Sequence, residues 1–142
     1  WKKKLPRCNK KILDVILISL VRHYLMGINM KVRFLGTNGW FDSDTGNTIC
    51  TLVETEDIYL VLDAGNGIHK LDRYIHDKKP VYLFLSHFHL DHIEGLHTIV
   101  KLRLPQGLSI FGMEGTEKFL ADIIKRPYTV PLGRGPYPVE VH

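Results

Sequence analysis

The sequence predicts a domain of the α/β (α+β) class, because strand-like and helix-like segments follow one another along the chain. Short apolar runs bounded by glycine, proline and polar turns alternate with segments whose apolar residues recur every three or four positions. The length of 142 residues and the hydrophobic content of 44% are enough for one ordinary domain with a real core. A disordered or fibrous protein is therefore excluded.

The first three elements after residue 30 are predicted strands. Residues 31–35 alternate between polar and apolar side chains and stop at a glycine, and two further strands are expected over residues 48–54 and 58–63. A polar, turn-rich loop over residues 37–47 joins the first strand to the second. Only a short acidic turn separates the second strand from the third, so we expect a consecutive hairpin or meander.

The later elements include one strand that is predicted to be central. Residues 81–85 are continuously apolar, which is typical of a strand buried on both faces. Before it, a glycine turn over residues 64–67 leads into a short helix with Ile68 and Leu71 at helical spacing. After it, we expect a helix over 95–102, a strand over 108–111, a helix over 115–125 and a strand that reaches His142.

Residues 1–29 differ in charge from the rest of the chain. They hold seven basic residues and one acidic residue, a net charge of +6, whereas the other 12 basic and 14 acidic residues give −2. The overall pI near 9.1 is therefore no evidence for nucleic-acid binding by the remainder of the chain.

The same segment does not match a membrane or export signal. Its apolar run over residues 12–21 is interrupted by Asp14 and is about half the roughly 20 residues that a spanning helix needs. No small-residue cleavage site follows it. We therefore predict that the native domain begins at Met30, that residues 1–29 are an extension outside the domain of residues 30–142, and that no membrane is involved. The two cysteines are too few for a disulfide framework, and we expect a cytoplasmic protein.

The strongest chemical signal is the run His-Phe-His-Leu-Asp-His at residues 87–92, directly after the apolar strand. Imidazole and carboxylate are ligand types that zinc prefers. At the end of a strand, His87, His89 and Asp91 can point to one side, with His92 beside Asp91. This arrangement suits two neighbouring metal ions, with two imidazoles on the first and Asp91 and His92 on the second. Paired ions roughly 3.5 to 4 Å apart activate water for attack on a phosphoryl or acyl group, so the predicted reaction is hydrolysis.

The run from Ser86 to His92 resembles the HxHxDH signature of the metallo-β-lactamase superfamily. The Asp-x-Gly-x-Gly at residues 63–67 agrees with this resemblance. Together with Phe-Leu-Gly-Thr at 34–37 and Asp-His-Ile-Glu-Gly-Leu at 91–96, it is most similar to the ribonuclease Z-like and related phosphodiesterase branch.

The resemblance implies a four-layer αββα sandwich, of which residues 30–142 would be the N-terminal half, and a dinuclear site that usually holds zinc, with manganese or iron as alternatives. His87 and His89 would bind the first ion, and Asp91 and His92 the second. Asp91 would also be the catalytic residue near the nucleophilic water. Asp63 would orient a ligand imidazole, as metal-bound histidines commonly require.

The resemblance also implies further ligands, a third histidine, a bridging aspartate and a final histidine, from the second half of the fold. We interpret the downstream histidines His97 and His142 as structural. Alone, the 142 residues are therefore expected to bind metal weakly and to be inactive.

Two versions of the enzyme remain open, an endonuclease that acts on tRNA 3′ ends and a phosphodiesterase for small or cyclic nucleotides. An ester, lactone or thioester hydrolase and an inactive metal-binding fragment are the alternatives, and a homodimer is left open. His69 and His76 are expected at the surface. Trp40, in the turn-rich loop, would either stack on a base or ring or cover the core.

Overall fold

The computed structural model of the protein describes residues 10–27 and 29–142. It contains a six-stranded mixed sheet whose strands lie side by side in chain order. Neighbours are antiparallel from the first strand to the third and parallel from the third to the sixth. The strands are β1 (Lys31–Gly36), β2 (Cys50–Glu54), β3 (Tyr59–Leu62), β4 (Val81–Phe84), β5 (Leu108–Phe111) and β6 (Val139–Val141). The predicted meander and the central position of β4 are thereby confirmed.

The helices of the described residues are of two kinds. The α-helices are α1 (Lys10–Met26), α2 (Leu90–Ile93) and α3 (Thr116–Ile123), and the 3₁₀ helices span Asn66–Arg73, Glu94–Lys101 and Leu132–Arg134. Two of the predicted helices, after the glycine turn and after the histidine cluster, are therefore 3₁₀ rather than α. Their buried apolar residues are three positions apart, Ile68 and Leu71 in one and Leu96 and Ile99 in the other. A helix with three residues per turn places such residues along one face.

One face of the sheet, called here the helix-covered face, carries the main core. Alternate strand residues point to it, and Leu52, Val61, Leu83 and Ile110 are 0% exposed. They pack in one cluster with apolar residues from the two long 3₁₀ helices and α3. The parallel strands are thus held in place by the segments that connect them.

The opposite face, called here the α1 face, carries a smaller cluster. Leu60, Tyr82 and Phe111 pack there with Ile16 of α1. Polar contacts join α1 to the turn between β2 and β3: Ser19 Oγ lies 3.3 Å from Thr55 Oγ1, and Nε2 of His23 accepts the Glu56 N–H at 3.1 Å.

Over residues 14–26, where its side chains are described, helix α1 turns most of its large apolar side chains to solvent. Seven of them are between 45% and 88% exposed: Val15, Leu17, Ile18, Val21, Tyr24, Leu25 and Met26. Ser19 and His23, by contrast, are buried. Among the described residues, no helix has both the length and the apolar character that a membrane crossing requires. Residues 1–9 and 28 lie outside the described part, and the assignment of residues 1–29 to an extension stays a prediction.

Candidate metal centre

The candidate site lies at the edge of the sheet where the parallel strands β3 and β4 end. Leu62 pairs with Phe84, so the residues that follow these two strands meet at this edge. The N–H of Asp63 donates to the carbonyl of Phe84 at 2.8 Å. Two antiparallel pairings bring the end of β1 to the same edge, and the loop over residues 37–49 therefore starts beside the site.

Asp63 connects the ends of the two strands. It is buried, and its backbone φ of 58° lies in the left-handed region, which aspartate adopts more readily than most residues. Its Oδ1 accepts the N–H of Ser86 at 2.8 Å, and its Oδ2 lies 2.9 Å from Nδ1 of His92. The carboxylate therefore occupies one nitrogen of the His92 ring, and the other nitrogen, Nε2, lies 3.7 Å from Oδ2 of Asp91.

The three imidazoles of the run over residues 87–92 are neighbours in space. The ring centroid of His87 lies 4.4 Å from that of His89 and 4.0 Å from that of His92. Oγ of Ser86 lies 2.9 Å from Nδ1 of His87 and 3.3 Å from Nδ1 of His92. The side chains named from the sequence thus lie together at one end of the central strand.

The loop between β1 and β2 contacts Asp91. This residue lies in the first turn of α2, and its Oδ2 accepts the backbone N–H of Trp40 at 2.8 Å. This hydrogen bond lowers the pKa of Asp91; desolvation opposes the shift, and the nearby imidazoles of His92 and His89 add to it. Asp91 is therefore a carboxylate at neutral pH.

Two glycines allow the segments around the cluster to touch. A Cβ on Gly65 would lie 2.4 Å from the carbonyl oxygen of Asp91, and a Cβ on Gly95 would lie 2.2 Å from that of Gly65. The N–H of Gly95 also donates to the carbonyl of Ala64 at 2.9 Å. Any larger residue at either position would separate the glycine turn from α2, so the spacing of the cluster depends on both glycines.

The cluster matches a metal centre in the type of its donors, although its side chains are not in a ligating arrangement. Within the described ranges, no three His, Cys, Asp or Glu side chains are grouped so that they would hold an ion. Nδ1 of His92 faces Asp63, and Nδ1 of His87 faces Ser86. Metal binding by these residues therefore requires rearrangement of side chains that are already neighbours.

The other histidines lie elsewhere. Nδ1 of His69 contacts the carbonyl of Asn66, and His97 makes the same contact three residues back, with Glu94. The ring of His142 stacks on Phe111, with 4.6 Å between centroids. His69, His76 and His97 are exposed.

Sequence reasoning gave no role to three contacts of the site. Ser86 contacts both Asp63 and His87, and its position directly before the cluster could have indicated this role from the sequence. Thr48 donates to Oε1 of Glu94 at 2.5 Å and accepts the N–H of Asn66 at 2.8 Å. The contact between Trp40 and Asp91 joins residues 51 positions apart, and no local sequence pattern indicates it.

The sheet, the flanking helices and the cluster after the central strand define the class of the protein as an α/β domain. Residues 43–105 match the family described as the metallo-beta-lactamase superfamily, so the domain is of the metallo-β-lactamase fold. The resemblance expected from the sequence is therefore confirmed for the part of the chain that the match covers, and the superfamily is generally metal-dependent.

Individual relatives point to one branch. The chain is 33% identical to the ribonuclease Z of Lactobacillus gasseri over 121 residues, which are 78% of this chain and 38% of that protein. It is 28% identical to the ribonuclease Z of Porphyromonas gingivalis, over 79% of this chain and 38% of that protein. The chain thus spans about two fifths of the length of the curated relatives that it matches.

Solved structures agree in fold. The metallo-beta-lactamase fold protein YhfI from Bacillus subtilis has a TM-score of 0.58 at 22% identity, over 80% of this chain and 44% of that one. The short form of human tRNase Z has a TM-score of 0.54 at 21% identity, over 78% of this chain and 44% of that one.

Proposed function

We propose that this chain carries the N-terminal half of the site of a metal-dependent phosphodiesterase of the ribonuclease Z type. The observation that carries the proposal is the hydrogen-bonded link from Asp63 through Ser86 to His92, which gathers histidines and a carboxylate at the end of β4. Similarity to ribonuclease Z supports the phosphodiester as the substrate class, either in tRNA or in a small or cyclic nucleotide.

Zinc would be held by two pairs of residues. His87 and His89 would bind one ion, and Asp91 and His92 the other, with manganese or iron as alternative metals. When bound, zinc supplies a Lewis acid that makes water acidic enough to attack near neutral pH. Zinc is usually four-coordinate, so four side chains hold two ions only in part, and the remaining donors would come from outside the described residues.

The chain's own residues would orient the ligands and the water. Asp63, by keeping Nδ1 of His92, would turn Nε2 of that ring toward Asp91. Asp91 is ionised and fixed by the Trp40 N–H, which suits it to hold the attacking water by a hydrogen bond.

The test combines metal content with hydrolysis. The 142-residue chain and the product of the complete gene are loaded with zinc, analysed for metal, and assayed on precursor tRNA, bis-p-nitrophenyl phosphate and p-nitrophenyl acetate. We expect diester cleavage by the product of the complete gene and little turnover by the chain alone, because its ions would be incompletely held. Ester cleavage without diester cleavage would overturn the phosphodiesterase proposal, and robust cleavage by the monomeric chain would overturn the half-site.

A pair of exposed histidines provides the variant and its control. His89→Ala removes a proposed ligand, and we expect it to lower zinc affinity by more than the roughly 10- to 100-fold that loss of an outer hydrogen-bond partner costs. His97→Ala removes a histidine of similar exposure from the Glu94–Lys101 helix and is expected to change neither zinc content nor activity. Equal effects of the two substitutions would exclude a specific role for His89.

A further inference from the structure

We propose that Trp40 and Phe41 form a binding site for a nucleobase of the substrate, beside the candidate metal centre. This inference rests on the proposed function, because it names the part of the substrate that lies next to the phosphodiester. The two side chains are called the aromatic pair below.

The aromatic pair is not used by the fold. Trp40 is 82% exposed and Phe41 is 72% exposed, and neither belongs to the core clusters of the sheet. Covering the core, one of the two roles considered for Trp40 from the sequence, is therefore excluded by its exposure. Two large aromatic side chains that are neighbours in sequence and exposed to solvent are therefore available to a ligand with a flat, apolar surface.

Trp40 is placed beside the site by its own backbone and ring. Its N–H donates to Oδ2 of Asp91 at 2.8 Å, and its ring stacks loosely on that of His89, with 6.4 Å between centroids and 28° between planes. A base that stacks on the free surface of the indole would therefore lie within one nucleotide of the proposed zinc ligands.

The loop that carries the aromatic pair is held in a defined conformation. Trp40 has a φ of 68°, a left-handed conformation that a bulky residue keeps only when surrounding contacts enforce it. Asp42 supplies those contacts: Oδ1 accepts the Thr48 N–H at 2.6 Å, and Oδ2 accepts the side-chain amides of Asn47 at 3.0 Å and Asn66 at 2.8 Å. The backbone that carries the two rings is thus fixed before a ligand arrives, which reduces the entropy lost on binding.

The chemistry of the pair favours a base over other ligands. Every nucleobase has a π-face, so stacking binds nucleotides with little sequence preference. The chain after residue 29 has a net charge of −2, and attraction of phosphates to a basic surface is therefore a weak source of affinity. Stacking next to the reacting phosphodiester would supply the binding affinity that electrostatic attraction does not.

The binding test uses the fluorescence of Trp40 in a Trp1→Phe background of the 142-residue chain. We expect AMP to quench the emission in a saturable way and ribose 5-phosphate, which lacks the base, to leave it unchanged. Phe41→Leu is expected to weaken AMP binding several-fold. Tyr24→Leu removes another exposed ring, beside His23, whose side chain contacts the turn before β3 at the end of that strand opposite to the site. It is the matched control and is expected to have no effect. Equal responses to the two ligands, or no quenching by AMP, would overturn the proposal.

A kinetic test separates this inference from the proposed function. The product of the complete gene is assayed on oligoribonucleotides that carry either a base or an abasic residue next to the scissile phosphate. Trp40→Leu is expected to reduce the preference in kcat/KM for the base-bearing substrate by roughly tenfold, the scale of one stacked base, and Trp40→Phe is expected to retain most of it. Quenching by AMP without diester cleavage would refute only the phosphodiesterase proposal. Cleavage whose base preference is the same in the variant would refute only the nucleobase site.

Discussion

The two faces of the sheet are built from the same strands, yet they are covered in different ways. On the helix-covered face, alternate residues of four strands are fully buried by segments that connect those strands. On the α1 face, Val32, Phe34 and Leu62 remain exposed, and α1 itself buries Ser19 and His23. The difference indicates that stability and the position of the site come mainly from the first face, whereas the second face is only partly covered. The four-layer sandwich implied by the resemblance would place a second sheet on that face.

The largest expected effect comes from a cavity on the helix-covered face. Leu83→Ala removes a side chain that is 0% exposed in the central strand, and we expect it to lower the free energy of unfolding by about 2 to 5 kcal/mol. Leu60→Ala on the α1 face is the matched substitution and is expected to cost less than half as much. Urea unfolding followed by circular dichroism measures both values. Equal losses of unfolding free energy would contradict the proposed difference between the two faces.

A smaller effect is expected from the thiol of Cys50, which points to the helix-covered face. Burial, with the charge of Asp63 as a lesser cause, raises its pKa from 9.0 to about 12. The unfolded chain therefore loses this proton first, so the contribution to stability is complete below pH 9 and is lost as pH rises toward 12. We expect wild type to lose about 1 kcal/mol more than Cys50→Ala between pH 8 and pH 10. Unfolding is measured in a Cys8→Ser background, and identical pH dependences would show that the thiol is not desolvated.

The smallest effect is expected from deletion of residues 1–29. Over residues 14–26, helix α1 leaves most of its large apolar side chains in solvent, and we expect its removal to lower the melting temperature by only a few degrees, which corresponds to about 1 kcal/mol or less. Calorimetry measures the shift, and increased binding of a hydrophobic dye should report the uncovered α1 face. A loss as large as that of Leu83→Ala would mean that α1 belongs to the domain.

The strand positions and their order were largely predictable because apolar alternation is local. The strand over residues 108–111 has the predicted bounds, and the central strand ends one residue earlier than expected. The 3₁₀ type of two helices was not predicted, although the spacing of three between Leu96 and Ile99 was visible in the sequence. The orientation of α1 was unpredictable, because a helix that is apolar on nearly every side does not indicate which side is buried.

The candidate site also has a part that the sequence predicts and a part that it does not. Neighbouring positions in the run over residues 87–92 made the cluster predictable, and the fold confirms that its side chains lie together. The contact between Trp40 and Asp91 depends on where a loop crosses the edge of the sheet, which is a property of tertiary structure. The sequence does not indicate the left-handed conformation of Trp40 either, because tryptophan is unusual at a positive φ.

The left-handed backbone of Asp63 also limits how this protein can change during evolution. At a φ of 58°, glycine and asparagine are the replacements that cost little conformational energy. Asparagine is one nucleotide change away in the codon table and keeps the shape of the side chain, but it removes the negative charge beside His92. We therefore expect a gene copy with this single change to encode a folded protein whose candidate metal centre has lost the charge beside His92.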